Sequence, residues 1–387
     1  MTAPLSGPPA AAEAVLLRRL LDVAIAAADP RALVAAHLRR HLPVPPGPVL
    51  VVGAGKAAAA MAAGVEDVWG AAARGLVITR YGHGMPTRHI AVREAGHPLP
   101  DAAGVAATAD LMAAVAAAPP ETFVLVLVSG GGSALLVAPV PGLSLAGKQA
   151  VNAALLASGA AIGEVNAVRR LLSRVKGGGL AALVAPRPSL TLVLSDVPGD
   201  DPAVVASGPM AAGDDLSGRA VARRLGIALP AAAEQASLRP PPAAPAPVAL
   251  IGSPQRSLVA VAEAAAGAGW HPLILSDAIE GEAREVAKVH AAIALSLRAG
   301  QGLAAGMPPG TRFALISGGE TGVTVRNPHG QGGRNGEFAL ALALALGGAP
   351  GICALAADSD GIDGRGPAAG ALVGPQTLAR ARALGLD

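Results

Sequence analysis

Aromatic residues are nearly missing: Phe, Trp and Tyr together make up 2% of 387 residues. The core must then be built from Ala, Leu and Val, and there is no basic stripe interleaved with aromatics on which nucleic-acid bases could stack. Charge is also scarce. Charged residues account for 15% of the chain and the formal net charge is +3, too small and dispersed for a nucleic-acid footprint. A modest excess of Lys and Arg still suits a protein that handles phosphate and carboxylate anions. A single cysteine, Cys353, excludes disulfides within the chain and a Cys-based zinc site. It lies in the apolar run 352–356, reads as a buried strand residue and is compatible with a reducing compartment. The most apolar segments, 123–128 and 338–346, are too short to span a bilayer. The first residues lack a basic stretch followed by an apolar core, so no signal peptide is expected. These absences predict a cytoplasmic protein with neither membrane nor nucleic-acid partners.

What is present is a large apolar fraction, 52%, in a chain long enough for two domains at roughly 150 residues each. Residues 1–10 are Pro-rich and read as frayed. Helices are expected over 11–28 and on to 41, then strands at 49–52, 76–79, 123–128 and 190–194. Helices at 57–69, 101–117, 144–158 and 163–175 alternate with them. After a Pro/Ala-rich stretch at 238–247, strands at 248–251, 273–275, 313–316 and 352–356 alternate with helices at 257–268, up to 299, and 337–346. Such alternation predicts an α/β protein with a doubly wound parallel sheet. The stretch at 238–247 is the linker candidate, dividing the chain into 1–240 and 241–387.

Ligands of open α/β sheets bind at the carboxyl ends of the strands, and the unusual chemistry lies there. Gly53-Ala54-Gly55-Lys56 follows the first strand. Ser129-Gly130-Gly131-Gly132-Ser133 follows the third, and Ser317-Gly318-Gly319-Glu320-Thr321 echoes it in the second half. A fourth Gly-rich loop runs from 327 to 336 and contains Arg334 and Asn335. Glycine turns ahead of helices can gather free N–H groups around an anion. Lys56, placed where a helix dipole disfavours a cation, is either a solvated surface lysine or an anion ligand. Arg334 is either a loop brace or a fork for carboxylate or phosphate. Acidic turns at 195–201, with Asp196 and Asp200, and at 358–363, with Asp360, either cap loops or hold Mg²⁺. His83 and His97 lie in loop-like stretches, where substrate binding and plain loop structure are both open.

Two motifs mislead. Gly53-x-Gly55-x-x-Ala58 fits a dinucleotide fingerprint, but the second strand ends in Thr79-Arg80 rather than in an acid. Arg80 could instead meet an NADP phosphate. The stretch 142–149 is one residue short of a Walker A loop and has Gln149 in place of the hydroxyl residue, so Ser144 reads as a helix N-cap.

Taken in order, several segments together resemble the glycerate 2-kinase family (the DUF4147/MOFRL-domain glycerate kinases, which have often carried the label hydroxypyruvate reductase). They are 51–56, 94–101, 128–135, 166–170 with 173–178, 194–200, 206–209, 316–321, 332–335 and 357–363. The resemblance implies a Rossmann-like N-terminal α/β domain, a smaller C-terminal MOFRL domain and an active site in the cleft between them. It implies transfer of the ATP γ-phosphate to the 2-hydroxyl of D-glycerate with Mg²⁺, with Lys56 and Arg334 as active-site cations. The expected catalytic set is Lys56, Arg334 and Asp196. Gly53, Gly55, Ser129, Gly130, Gly131, Gly132, Ser133, Ser317, Gly318, Gly319, Glu320, Thr321 and Asn335 would bind substrate or phosphate, and Asp196, Asp200 and Asp360 the metal. A homodimer is compatible with this reading. The alternatives are an NAD(P)H-dependent hydroxypyruvate reductase and a non-catalytic sugar-acid or sugar-phosphate binder. The family continues beyond the equivalent of Asp387 with a short polar tail, so a trimmed C-terminus is expected.

Overall fold

The computed structural model describes residues 11–197, 199–211, 217–235, 246–327, 330–365 and 367–386. The expected frayed start at 1–10 and most of the linker candidate at 238–247 lie outside them. In chain order the helices and strands are α1 (Ala11–Ala27), α2 (Pro30–His41), β1 (Val49–Ala54), α3 (Ala58–Trp69), β2 (Ala73–Arg80), β3 (Ile90–Ala95), α4 (Ala102–Ala117), β4 (Phe123–Ser129), α5 (Gly132–Leu135), α6 (Leu145–Ala157), α7 (Ile162–Leu171), α8 (Gly179–Val184) and β5 (Ser189–Leu194). They continue with α9 (Gly218–Arg224), α10 (Ala231–Glu234), β6 (Val248–Gly252), α11 (Pro254–Gly267), β7 (His271–Ile274), β8 (Ile279–Glu282), α12 (Ala283–Arg298), β9 (Phe313–Ile316), β10 (Gly319–Gly322), α13 (Arg334–Leu346), β11 (Ala354–Ala357), β12 (Gly370–Val373) and α14 (Thr377–Ala383).

These elements form two compact units. One is Asp29–Ser253; the other joins α1 to Pro254–Asp387. The division differs from the expected 240/241 boundary at both ends. β6 pairs in parallel with β5, which puts 248–252 into the first unit's sheet. The apolar face of α1 packs through Leu20 against Leu258 and Val261 of α11.

In the Asp29–Ser253 unit six parallel strands run in the order β3-β2-β1-β4-β5-β6. Because successive strand residues point to opposite faces, Leu125 and Leu127 meet α2 and α3 through Leu38, Met61 and Val65. Val124, Val126 and Val128 meet α4 and α8 through Leu111, Val115, Leu180 and Val184. Both faces are covered, which explains why the central strands read as unbroken apolar runs. A satellite core joins α6, α7 and α9 through Val151, Leu155, Val168 and Val221. The reversal of strand order falls between β1 and β4, so the loops after these two strands border the crevice where such sheets take ligands.

The other unit has smaller sheets: parallel pairs β7–β9 and β8–β10, and an antiparallel pair β11–β12. Helices α12 and α13 pack on β11 and β12 through Ala287, Ala291, Leu342 and Leu346. Cys353 precedes β11 and is half-buried, not the buried strand residue expected. Among the described residues no helix is long and apolar enough to cross a membrane.

Candidate active site

The ends of β1 and β4 are stapled together by backbone groups. Gly55 N–H donates to the Ile78 carbonyl (3.1 Å), Lys56 N–H to the Gly130 carbonyl (2.8 Å), and Ala57 N–H to Ser129 Oγ (3.1 Å). The turn at 53–56 therefore has its donors satisfied from within. Its glycines serve close packing: a Cβ at Gly53 would overlap the Leu127 carbonyl, and one at Gly55 would overlap Ser129 Oγ. Gly53 lies within the β1 ladder and the Gly55 N–H is taken, so neither offers an open N–H to an anion, contrary to the sequence expectation. The same geometry removes the physical basis of the dinucleotide fingerprint, whose N–H groups must be open to a pyrophosphate.

The loop after β4 behaves differently. Gly131 adopts a left-handed conformation (φ 77°) as the N-cap of α5. Among the described residues the N–H groups of Gly131, Gly132 and Ser133 have no backbone acceptor, as expected for the first turn of a helix. Lys56 and His97 lie beside this loop. A Cβ at Gly131 would lie 2.9 Å from Lys56 Cγ and 3.0 Å from His97 Nε2. Lys56, half-buried, makes no side-chain hydrogen bond or ion pair to the described residues. Burial first, then the charges of Lys56, Arg80 and His83, hold the His97 imidazole down at about 4, so it is neutral near pH 7. Neighbouring loops are pinned: Glu94 accepts from the N–H groups of Gly82 and Gly84, and Tyr81 Oη donates to Asp101 (2.7 Å). Asp101 also caps α4.

On the other side of the loop stands β5. A Cβ at Gly130 would overlap the Asp196 carboxylate, which places this exposed acid against the glycine loop. Asp200 follows on the same turn. Its Oδ1 is buried without a hydrogen-bond partner among the described residues, and its backbone is left-handed (φ 54°). Ala206 (φ 54°) and Ser207 (φ 62°) are the other described non-glycine residues in that region. Such strain concentrates where structure over-determines a functional segment. Ser207 Oγ donates to Asn166 Oδ1 (2.8 Å) and meets Ser133 Oγ (2.9 Å), tying this segment to the glycine loop.

The second unit carries Arg334, and here the guanidinium is already bound. It donates to Asp358 through Nη2 (2.7 Å) and Nε (3.2 Å), and to Glu320 through Nη1 (2.8 Å). Burial alone would lower its pKa; the hydrogen bonds of Glu320 and Asp358 outweigh burial and raise it. The start of α13 is not an open anion nest either. Asp363, 4% exposed, accepts from the N–H groups of Asn335 (2.9 Å) and Gly336 (2.8 Å). Nor does 317–321 form a nest. Gly318 N–H donates to the Ser276 carbonyl, Gly319, Glu320 and Thr321 belong to β10, and Ser317 Oγ meets His290 Nε2 (3.0 Å). The echo of the two Ser-Gly-Gly loops is thus a likeness of sequence with different outcomes, a helix start in one and a strand in the other.

The three carboxylates expected as a metal set do not gather: among the described residues no group of three His, Cys, Asp or Glu could hold a metal ion. Asp360 Oδ1 accepts from Ile362 N–H and makes a turn. Asp196 and the orphaned oxygen of Asp200 fit a hard cation that takes its remaining ligands from phosphate and water. Ser144 caps α6, its side chain accepting from Gly147 N–H, as expected. Asp363, Lys148 and Lys176 enter the sequence reading only as members of the stretches 358–363, 142–149 and 173–178; what sets them apart is burial, which spacing does not reveal.

The comparisons with known proteins accord with this geometry. A family model described as "Domain of unknown function (DUF4147)" matches residues 16–236, and one described as "MOFRL family" matches residues 313–387. An Agrobacterium vitis protein named "Putative hydroxypyruvate reductase" is 47% identical, over 96% of this chain and 85% of its own length. The "D-glycerate 2-kinase" of Thermotoga maritima is 38% identical, over 88% of this chain and 81% of its own. A crystal structure of glycerate kinase from Thermotoga maritima superposes with a TM-score of 0.84 at 34% identity, covering 97% of this chain and 90% of that one.

Proposed function

The chain belongs to the glycerate 2-kinase family, and from that premise we propose that it transfers the γ-phosphoryl group of ATP to the 2-hydroxyl of D-glycerate, with Mg²⁺. It is a kinase that uses a nucleotide phosphate donor and a small-molecule acceptor. The observation that carries the finer reading is Lys56, without a side-chain partner among the described residues, beside the 131–133 loop, whose N–H groups have no backbone acceptor among them.

Phosphoryl transfer asks a protein for positioning and charge neutralisation rather than covalent chemistry. Lys56 stabilises the negative charge on the transferring oxygens, and the N–H groups of Gly131, Gly132 and Ser133 orient them. Neutral His97 adds bulk and a hydrogen-bonding nitrogen without competing for the anion. Asp196, exposed beside Gly130, accepts the proton of the attacking hydroxyl. Arg334, the second cation the family resemblance implies, is bound by Asp358 and Glu320 within its own unit, and those two carboxylates offset its charge. As the alternative to that proton transfer, Asp196 would join Asp200 in holding the divalent ion, which neutralises phosphate charge when bound. A cytoplasmic setting and a homodimer belong to this reading as well.

The reductase reading would need the turn at 53–56 to cradle a pyrophosphate, and its N–H groups are taken. The deciding experiment compares D-glycerate-dependent ADP release with hydroxypyruvate-dependent NADH or NADPH oxidation. The kinase reading expects the first and not the second; the reverse result discards it.

A further inference from the structure

Three cations gather in the Asp29–Ser253 unit: Lys148 of α6, Arg169 of α7 and Lys176 of the turn beyond it. Lys148 is 1% exposed, and its Nζ is buried without a hydrogen-bond partner among the described residues. One helical turn along the same face of α6, Asn152 Oδ1 is also buried and unpartnered. Arg169 is half-buried and makes no hydrogen bond or ion pair to the described residues. Lys176, 4% exposed, donates to the carbonyls of Ser133 (2.8 Å) and Leu136 (3.3 Å).

The electrostatics of the three agree. Burial, then Arg169, brings Lys148 down to about 8. Burial, then Lys148 and Arg169, brings Lys176 well below its ordinary value. Burial lowers Arg169. No carboxylate among the described residues offsets any of these shifts. Buried cations without a counter-ion are costly, and apolar side chains would pack there more favourably. Lys176 also fixes where the cluster lies, because one carbonyl it holds, that of Ser133, is in α5 and the other, that of Leu136, is at that helix's C-cap.

We infer that Lys148 and Arg169 form a subsite for the oxyanion of a small ligand, with Asn152 donating to it through Nδ2 once its amide is flipped and Lys176 holding the Ser133 loop in place. Arg169 offers a planar fork to two oxygens, and Lys148 a point charge. The ligand's identity rests on the kinase reading. The oxyanion is then either the carboxylate of the acceptor or a phosphate oxygen of the donor.

The test uses the full chain with Lys148→Met and Arg169→Lys. Methionine replaces an ammonium that has no partner among the described residues, so Lys148→Met should melt no lower than wild type. Inorganic phosphate and acetate, titrated calorimetrically into nucleotide-free protein, should bind wild type and bind each variant about 10- to 100-fold more weakly, as expected for a lost charge-assisted hydrogen bond. A KM rise confined to D-glycerate assigns the carboxylate; a rise confined to ATP assigns the phosphate. The subsite is refuted if both variants bind both probes and both substrates as wild type does, or if wild type binds neither probe and the variants keep their KM values. A wild type that phosphorylates no glycerate would remove the kinase reading alone, since the two calorimetric arms decide the subsite without turnover.

Discussion

Lys56 and His97 meet over one glycine: a Cβ on Gly131 would stand 2.9 Å from Lys56 Cγ and 3.0 Å from His97 Nε2. This contact ties the end of β1 to the loop after β3, and it makes Gly131 irreplaceable for two separate reasons. A side chain would be strained at φ 77°, and it would push on the lysine and the histidine. Gly131→Ala should cost about 1–2 kcal/mol for the left-handed backbone, read by chemical denaturation. It should also lower kcat/KM by more than that loss of stability explains.

Lys56 itself is expected to matter for turnover and not for folding, because its ammonium holds nothing together among the described residues. Lys56→Ala should keep its melting temperature while kcat falls on the order of 10²–10³-fold, the usual effect of removing one electrostatic stabiliser. Near-normal kcat would remove Lys56 from the mechanism.

His97 should give the protein a pH signature. Its folded pKa, about 4, lies below the ordinary 6.5. The unfolded chain therefore binds the proton more readily, and stability present above pH 6.5 is lost as pH falls toward 4. Tm should drop across that window in wild type and drop less in His97→Gln. Equal slopes would show that other groups set the acid limb.

The α13 start depends on Asp363, whose two oxygens accept from the N–H groups of Asn335 and Gly336. Asp363→Ala should cost about 2 kcal/mol through the lost cap and the unsatisfied donors. Urea denaturation measures it, and an unchanged midpoint would mean that water replaces the cap.

Much of the fold was legible in the sequence because the central strands are apolar on both faces; β1, β4 and β5 fall where their Val and Leu runs lie. β3 was not legible, since Arg93 and Glu94 are exposed on this edge strand and interrupt its apolar pattern. Helix α7 stops at Leu171, short of the expected 175, where Ser173 bridges to Pro139. The glycine loops were legible as loops but not as to purpose. Whether an N–H is open, as at 131–133, or taken by a neighbour, as at 55–57, depends on strands distant in sequence. The same holds for Arg334, whose partners Glu320 and Asp358 come from two other segments.

The most direct measurement of the central claim is phosphorus NMR of the product formed by wild-type protein from ATP, Mg²⁺ and D-glycerate. The account predicts a resonance of 2-phosphoglycerate growing as ATP is converted to ADP, absent when D-glycerate is left out. A product phosphorylated at the 3-position, or ATP left unconsumed in the complete mixture, would contradict it.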